Sequence, residues 1–377
     1  MNKLRIYAFL FILNIGCSHQ NELELSCIKE GKVYKEKIEV DTYISKENRI
    51  RTKYIDSLSF TIVDSISFQH GNPDKMTDYS TSIELNFTER IKQYSSEYYA
   101  LATAHFITKS INYYNSLFDG KIDFDKEEEY RNITSQFGGM VILTNPKRFI
   151  YEKGSLISPS VLYHEVGHRA FWFLDDFYGI NFDGLTYIHM GLLEYFTVSL
   201  NNSPIVGECV LPSKLVRDVT LPYNYPFNDS LNVAYSFQLL KKSYAEDLKD
   251  STKCISRYIN LSLETYGDKL SGIYDNHRTA LIVTSTLWRI REKLGQENTD
   301  KLVAQTILNL NKYQEEREFF YKADKDEILS KKIDWFDLLH GLIQKDLELF
   351  GGKNSELIKN EFKQTGFSVE KIKSIIV

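Results

Sequence analysis

The sequence predicts an α+β fold in which strands dominate the first part of the chain and helices the last part. Residues 22–92 alternate β-rich runs with turn signals, whereas almost all of the chain after residue 295 has helical patterning. A length of 377 residues with 42% hydrophobic content suits two domains or one large lobed domain. The β-rich runs include Ile38 to Ile44 and Leu58 to Ile66, and the late helical segments are 300–313, 334–350 and 355–365.

Between these parts, helices and a short strand alternate. Residues 95–118 predict an aromatic helix that Asp119 and Gly120 stop. Residues 138–144 predict a short strand closed by Asn145-Pro146. Ser158 or Ser160 is expected to cap the next helix, with Pro159 tolerated at its first position.

The charge distribution argues against a nucleic-acid partner. The net charge of −5 is spread through segments of mixed sign, and the sequence contains no basic block that would follow a phosphate backbone.

The first seventeen residues have the pattern of a secretory signal peptide. Lys3 and Arg5 precede the apolar run Ile6 to Ile15, which is too short to span a bilayer as a mature helix. The segment ends in a sequence similar to a bacterial lipobox, with Cys17 as the lipidated residue, although Asn14 stands where leucine is usual. We expect an exported, cell-envelope lipoprotein anchored through lipid. Ordinary secretion and a buried N-terminal strand are the alternatives.

The cysteines allow at most one internal disulfide if Cys17 carries lipid. Cys27, Cys209 and Cys254 then remain, and the favoured pair is Cys209 with Cys254, which would staple the long segment between them. Three unpaired thiols are the alternative.

The segment VLYHEVGHRAFWF, residues 161–173, is the main functional signal. In a helix, His164 and His168 lie one turn apart on the same face, and Glu165 projects about 100° round from the first histidine. Two imidazoles with an adjacent carboxylate suit Zn²⁺ and a general base. An amphipathic helix with two satisfied histidines is the alternative.

Catalytic zinc takes three protein donors and leaves one position open, so a third donor is required. Glu194 lies 26 residues after His168 in a helix-patterned apolar segment, where a carboxylate needs a partner. We predict it as the third donor. Competing candidates are His189, Asp175, Asp176 and Asp183.

A second histidine site follows in the segment YDNHRTALIVTSTLWRIREKLG, residues 274–295. Asp275 or Asn276 is expected to cap this helix, which would place His277 at a helix N-terminus with Asp275 orienting its ring. His277 could then donate to a developing oxyanion. A surface cap residue is the alternative.

The order HEVGH, GLLEYF, DNHRTALIV and the helical C-terminal stretch resembles the thermolysin and fungalysin group of gluzincin metallopeptidases, over about residues 95–367. The resemblance implies Zn²⁺ bound by His164, His168 and Glu194. It implies Glu165 as general base and His277 as the residue that stabilises the transition state. It also implies a cleft between an α/β lobe and a mainly helical C-terminal lobe.

The sequence departs from that group at several points. The group usually has an aspartate four residues after the zinc-binding glutamate, and this chain has Val198 there. Thr197 and Ser199 are the candidate substitutes. The sequence assigns no counterpart to the group's substrate-gripping asparagine or buried arginine, although Arg278 could meet a peptide carbonyl. Tyr187 and Tyr195 could assist the oxyanion or simply pack.

These observations predict a zinc peptidase that acts on a peptide or protein. The alternatives are a non-catalytic surface lipoprotein that binds a partner and a zinc hydrolase of a non-peptide substrate. The expected organisation is a signal peptide (1–17), a β-rich region (18–93), an α/β zinc-binding lobe (94–204) and a mainly helical lobe (205–377).

Overall fold

The computed structural model describes fifteen stretches of the chain, and the site is built from those between residues 158 and 313. The described stretches are 21–30, 32–55, 58–67, 77–122, 124, 129–133, 141–143, 148–152, 158–178, 180, 187–208, 217–223, 271–313, 333 and 335–367. Cys17, Asp183, Cys209 and Cys254 lie outside them, so the predicted lipid anchor and disulfide fall outside the described residues.

The largest sheet is mixed and has five strands in the order β4-β3-β5-β7-β6. The two inner pairs, β3 with β5 and β5 with β7, are parallel, and the two outer pairs are antiparallel. The sheet joins strands from before residue 93 to strands that lead up to the HEVGH helix. Its strands are β3 (Leu58–Ser67), β4 (Thr77–Ile83), β5 (Glu129–Ile133), β6 (Val141–Leu143) and β7 (Arg148–Glu152).

An N-terminal hairpin of β1 (Glu22–Lys29) and β2 (Lys32–Glu39) precedes the sheet. The strand predicted over residues 38–44 is wrong beyond Glu39, because Val40–Thr42 form a 3₁₀ turn that Tyr43 N–H closes onto the Val40 carbonyl at 3.0 Å. The hairpin is tied to the first long helix, where Glu36 accepts from Lys109 at 2.6 Å and pairs with His105.

Seven α-helices are described. The predicted first helix is confirmed: Ser95 caps it by accepting from Tyr98 N–H at 3.2 Å, and it ends before Asp119 and Gly120, which both have positive φ. The late helical segments 334–350 and 355–365 are also confirmed, whereas the helix predicted over 300–313 begins earlier, at Gln296, and ends at Ile307. The helices are α1 (Ser96–Leu117), α2 (Pro159–Tyr178), α3 (Tyr187–Asn201), α4 (Ser271–Leu294), α5 (Gln296–Ile307), α6 (Trp335–Phe350) and α7 (Ser355–Gln364).

Helix α3 lies inside the core and packs against both α2 and α4. It crosses α4 at Gly191, where a β-carbon would lie 2.7 Å from Val283 Cβ and 2.8 Å from the Ala280 carbonyl oxygen. Thr284 donates from its hydroxyl to the Gly191 carbonyl at 2.9 Å across the same crossing. A short two-stranded pairing, β8 (Ile205–Val206) with β9 (Arg217–Asp218), follows α3.

The chain is therefore a mixed helix and strand protein, compatible with the predicted α+β class. Within the described stretches, no helix has the length and apolar character needed to cross a membrane.

Candidate metal centre

Helix α2 presents the HEVGH segment. Pro159 is its first residue, as predicted, and Val161 N–H bonds to the Ser158 carbonyl at 3.3 Å. The predicted geometry of the two histidines is confirmed, since the His164 and His168 ring centroids lie 4.7 Å apart. Both side chains are buried, with 3% and 9% exposure. Burial lowers the pKa of His164, which favours the neutral imidazole that a metal ion binds.

Glu194, on α3, lies against His164. Its Oε1 atom is 3.3 Å from His164 Nδ1, and the Glu194 side chain is fully buried. Helix α3 therefore brings a carboxylate to the first predicted zinc donor, across thirty residues of sequence.

The same Glu194 oxygen also contacts Arg217 Nη1 of strand β9. Arg217 is buried as well, so its guanidinium balances the charge of a carboxylate that would otherwise be costly to bury. Sequence reasoning missed this residue. The available signal was a single arginine within the apolar run LVRDV, a pattern that does not reveal its contact.

His189, the competing third donor, is also in this cluster. Its ring centroid is 5.7 Å from that of His168 and 5.1 Å from that of Phe171, and its side chain is buried. Burial, with a smaller contribution from His164, lowers the pKa of His189 to about 4. The exposed Trp172 stacks on His168, with ring centroids 5.9 Å apart.

Glu165 is next to His164 in sequence and partly exposed. Burial raises the pKa of its carboxyl to about 8; Arg217 opposes this rise and Glu194 adds to it. A carboxyl with a raised pKa in surroundings of low polarity has the proton affinity required of a proton-transfer group.

The donor types fit zinc, which prefers neutral imidazoles and carboxylates. His164, His168, His189 and Glu194 form one buried cluster through the contacts above. Among the described residues, however, no group of three or more histidine, cysteine, aspartate or glutamate side chains is already arranged to hold a metal. The carboxylate of Glu194 is instead engaged by Arg217 and His164.

The predicted cap of the second histidine helix is wrong. Helix α4 begins at Ser271, so Asp275 and Asn276 lie inside it and His277 is its seventh residue. The four helical residues before Asp275 continue the α-helical backbone through the predicted cap. Helix α4 crosses the N-terminal half of α3 at Ala280. His277 lies three residues before Ala280, almost one helical turn away.

The candidate substitutes for the absent aspartate have other partners. Thr197 donates to the Leu193 carbonyl of its own helix at 3.0 Å, and Ser199 donates to Asp300 at 2.7 Å. Val198 is fully buried. Tyr195 also donates to Asp300, at 2.6 Å, which supports packing rather than an oxyanion role for this tyrosine.

Two further candidates lie toward the end of α2. Asp175 and Asp176 follow His168 by seven and eight residues, about two helical turns. Tyr187 is the first residue of α3, and Arg278 follows His277 within α4.

Comparison with known proteins gives no assignment: no protein-family model matches the chain, and no curated protein matches it.

Proposed function

We propose that this chain is an exported zinc peptidase whose metal centre is the buried cluster formed by α2 and α3. The observation that carries this proposal is the pair of buried imidazoles of His164 and His168 on one helix face, with ring centroids 4.7 Å apart, beside Glu165. Helix α3 supplies the third donor, either Glu194 or His189. The proposal includes the thermolysin-like two-lobed arrangement and a lipid anchor at Cys17.

In this proposal, different side chains of the protein have separate roles in the reaction. Zinc at this position would supply a Lewis acid that lowers the pKa of water and polarises a carbonyl oxygen. Glu165 accepts the proton of the attacking water and delivers it to the leaving amine. Glu165 suits this role because it directly follows His164 on α2 and its side chain is only partly exposed. His277 donates a hydrogen bond to the oxyanion from α4.

The packing of α4 against α3 supports the assignment of His277. The two helices meet so closely at Gly191 that a β-carbon would overlap Val283 and the backbone of Ala280. The position of His277, less than one turn from Ala280, is therefore fixed relative to the helix that carries His189 and Glu194.

The test is metal content together with cleavage of a broad peptide library. Purified wild-type protein is expected to contain about one zinc per chain, and to cleave peptides until a chelator removes the metal. Glu165→Gln should keep the zinc and lower turnover by about 10²- to 10⁴-fold, because it removes the proton acceptor and no metal donor.

His164→Phe is the matched control, since it should lose both zinc and cleavage. Stoichiometric zinc without cleavage of any peptide would instead favour the non-catalytic binding protein. Cleavage of a non-peptide substrate alone would favour the other hydrolase class.

A further inference from the structure

We propose that Glu194 orients His164 rather than binding the metal, and that His189 supplies the third metal donor. This inference rests on the proposed function and specifies its metal centre. The observation behind it is that Glu194 already has two partners, Arg217 and His164, in the described structure.

The contact between Glu194 and His164 involves the Nδ1 atom of the ring. At 3.3 Å from Oε1, Nδ1 is the nitrogen that faces the carboxylate. A proton held on Nδ1 leaves Nε2 deprotonated and able to bind a cation, and a carboxylate is a frequent partner of the distal nitrogen of a metal-binding histidine. We infer that Glu194 selects the tautomer of His164 that is protonated at Nδ1 and orients its ring.

Arg217 balances the negative charge of Glu194 in this arrangement. Its guanidinium and the Glu194 carboxylate are both buried and share Oε1 with His164. If Glu194 turned to bind a cation, the buried Arg217 would lose this ion pair and face a divalent charge. If Glu194 stays, the ion pair is neutral, and the cation meets only imidazoles.

His189 is the remaining candidate on α3, five residues before Glu194. Its ring lies beside that of His168, with centroids 5.7 Å apart, and Phe171 packs against it. Neutral imidazole is the commonest metal donor in proteins. The three donors would then be His164, His168 and His189, with one position left for water.

The experiment measures zinc affinity by chelator competition for Glu194→Gln and His189→Phe. Glutamine keeps an oxygen that can accept from Nδ1–H, so Glu194→Gln is expected to weaken zinc binding about 10-fold while one zinc per chain still binds at saturation. Phenylalanine keeps the aromatic volume beside Phe171 but has no donor nitrogen. His189→Phe is therefore expected to weaken binding by at least about 100-fold. Thr197→Val, in the same helix, is the control and should leave affinity unchanged, because the Thr197 hydroxyl donates to the Leu193 carbonyl of its own helix.

A second measurement requires no metal. Nitrogen NMR of the metal-free protein, labelled at histidine, is expected to show His164 protonated at Nδ1 in the wild type and a mixture of tautomers in Glu194→Ala. Zinc loss in Glu194→Gln as complete as in His164→Phe, or full zinc affinity in His189→Phe, would overturn the inference. If the wild type binds no zinc, the proposed function fails along with the assignment of His189, whereas the NMR result still decides whether Glu194 orients His164.

Discussion

At the scale of single residues, Gly167 shows how closely α2 packs against its neighbouring helices. A β-carbon at this position would lie 2.5 Å from the Tyr114 hydroxyl of α1 and 3.3 Å from Leu193 Cγ of α3. The glycine inside HEVGH is therefore required by packing, because three helices meet at this point. The Tyr114 hydroxyl is buried and has no hydrogen-bond partner among the described residues.

This contact predicts a compensating pair of substitutions. Gly167→Ala is expected to lower the free energy of unfolding by about 1–3 kcal/mol through overpacking. Tyr114→Phe alone should change it little, since the hydroxyl makes no hydrogen bond that would be lost. Because removing the hydroxyl relieves the overlap, the double variant should recover most of the lost stability. Urea unfolding of all four proteins measures the coupling, and additive effects would contradict the predicted contact.

Contacts between residues differ in how well the sequence predicts them. His164 and His168 were predictable because their spacing is a local property of an α-helix. The contact of Arg217 with Glu194 spans 23 residues and depends on how β9 returns to α3. The raised pKa of Glu165 likewise depends on burial, which only the packed structure defines.

At the scale of elements, Asp300 joins the helix that carries Glu194 to its neighbouring helices. It lies in α5 and accepts hydrogen bonds from Tyr113 of α1 at 2.9 Å and from Tyr195 and Ser199 of α3. Arg291 of α4 donates to Ser199 at 3.3 Å, which brings a fourth helix into the same network. Burial raises the pKa of Asp300, while its hydroxyl donors and Arg291 oppose the rise. The network therefore ties α3, the helix that carries Glu194, to α1, α4 and α5.

Substitutions in this network are expected to lower the free energy of unfolding to different degrees. In Asp300→Asn, the side-chain NH₂ group would face hydroxyl groups that now donate to the carboxylate. Some of these buried groups would lose their hydrogen bonds, so the variant is expected to lower the free energy of unfolding by about 1–3 kcal/mol. Tyr113→Phe removes a single donor and should cost about 1 kcal/mol. Chemical denaturation compares the two. An equal or smaller loss in Asp300→Asn would mean that the carboxylate does not organise the network.

The sequence predicted elements better than their pairing. Helices α1, α2 and α5 to α7 follow from helical periodicity, caps and stops, all of which are local. The parallel pairs β3-β5 and β5-β7 join strands far apart in sequence, so no local pattern indicates them. The start of α4 was misplaced because Asp275 and Asn276 have good capping side chains yet continue the helix.

At the scale of the whole molecule, the proposed metal links α2 and α3, two helices of the same core. A ligand that binds only the folded state stabilises it by about 2.7 kcal/mol at a free concentration one hundred times its Kd. Zinc is therefore expected to raise the melting temperature of the metal-free protein by a few degrees, a shift that differential scanning calorimetry resolves. Glu165→Gln should keep the full shift in melting temperature, since Glu165 does not bind the metal in this proposal. His168→Phe should abolish it, because the remaining donors cannot close the site. If His168→Phe keeps the wild-type shift, zinc binds elsewhere and the two helices do not form the metal centre.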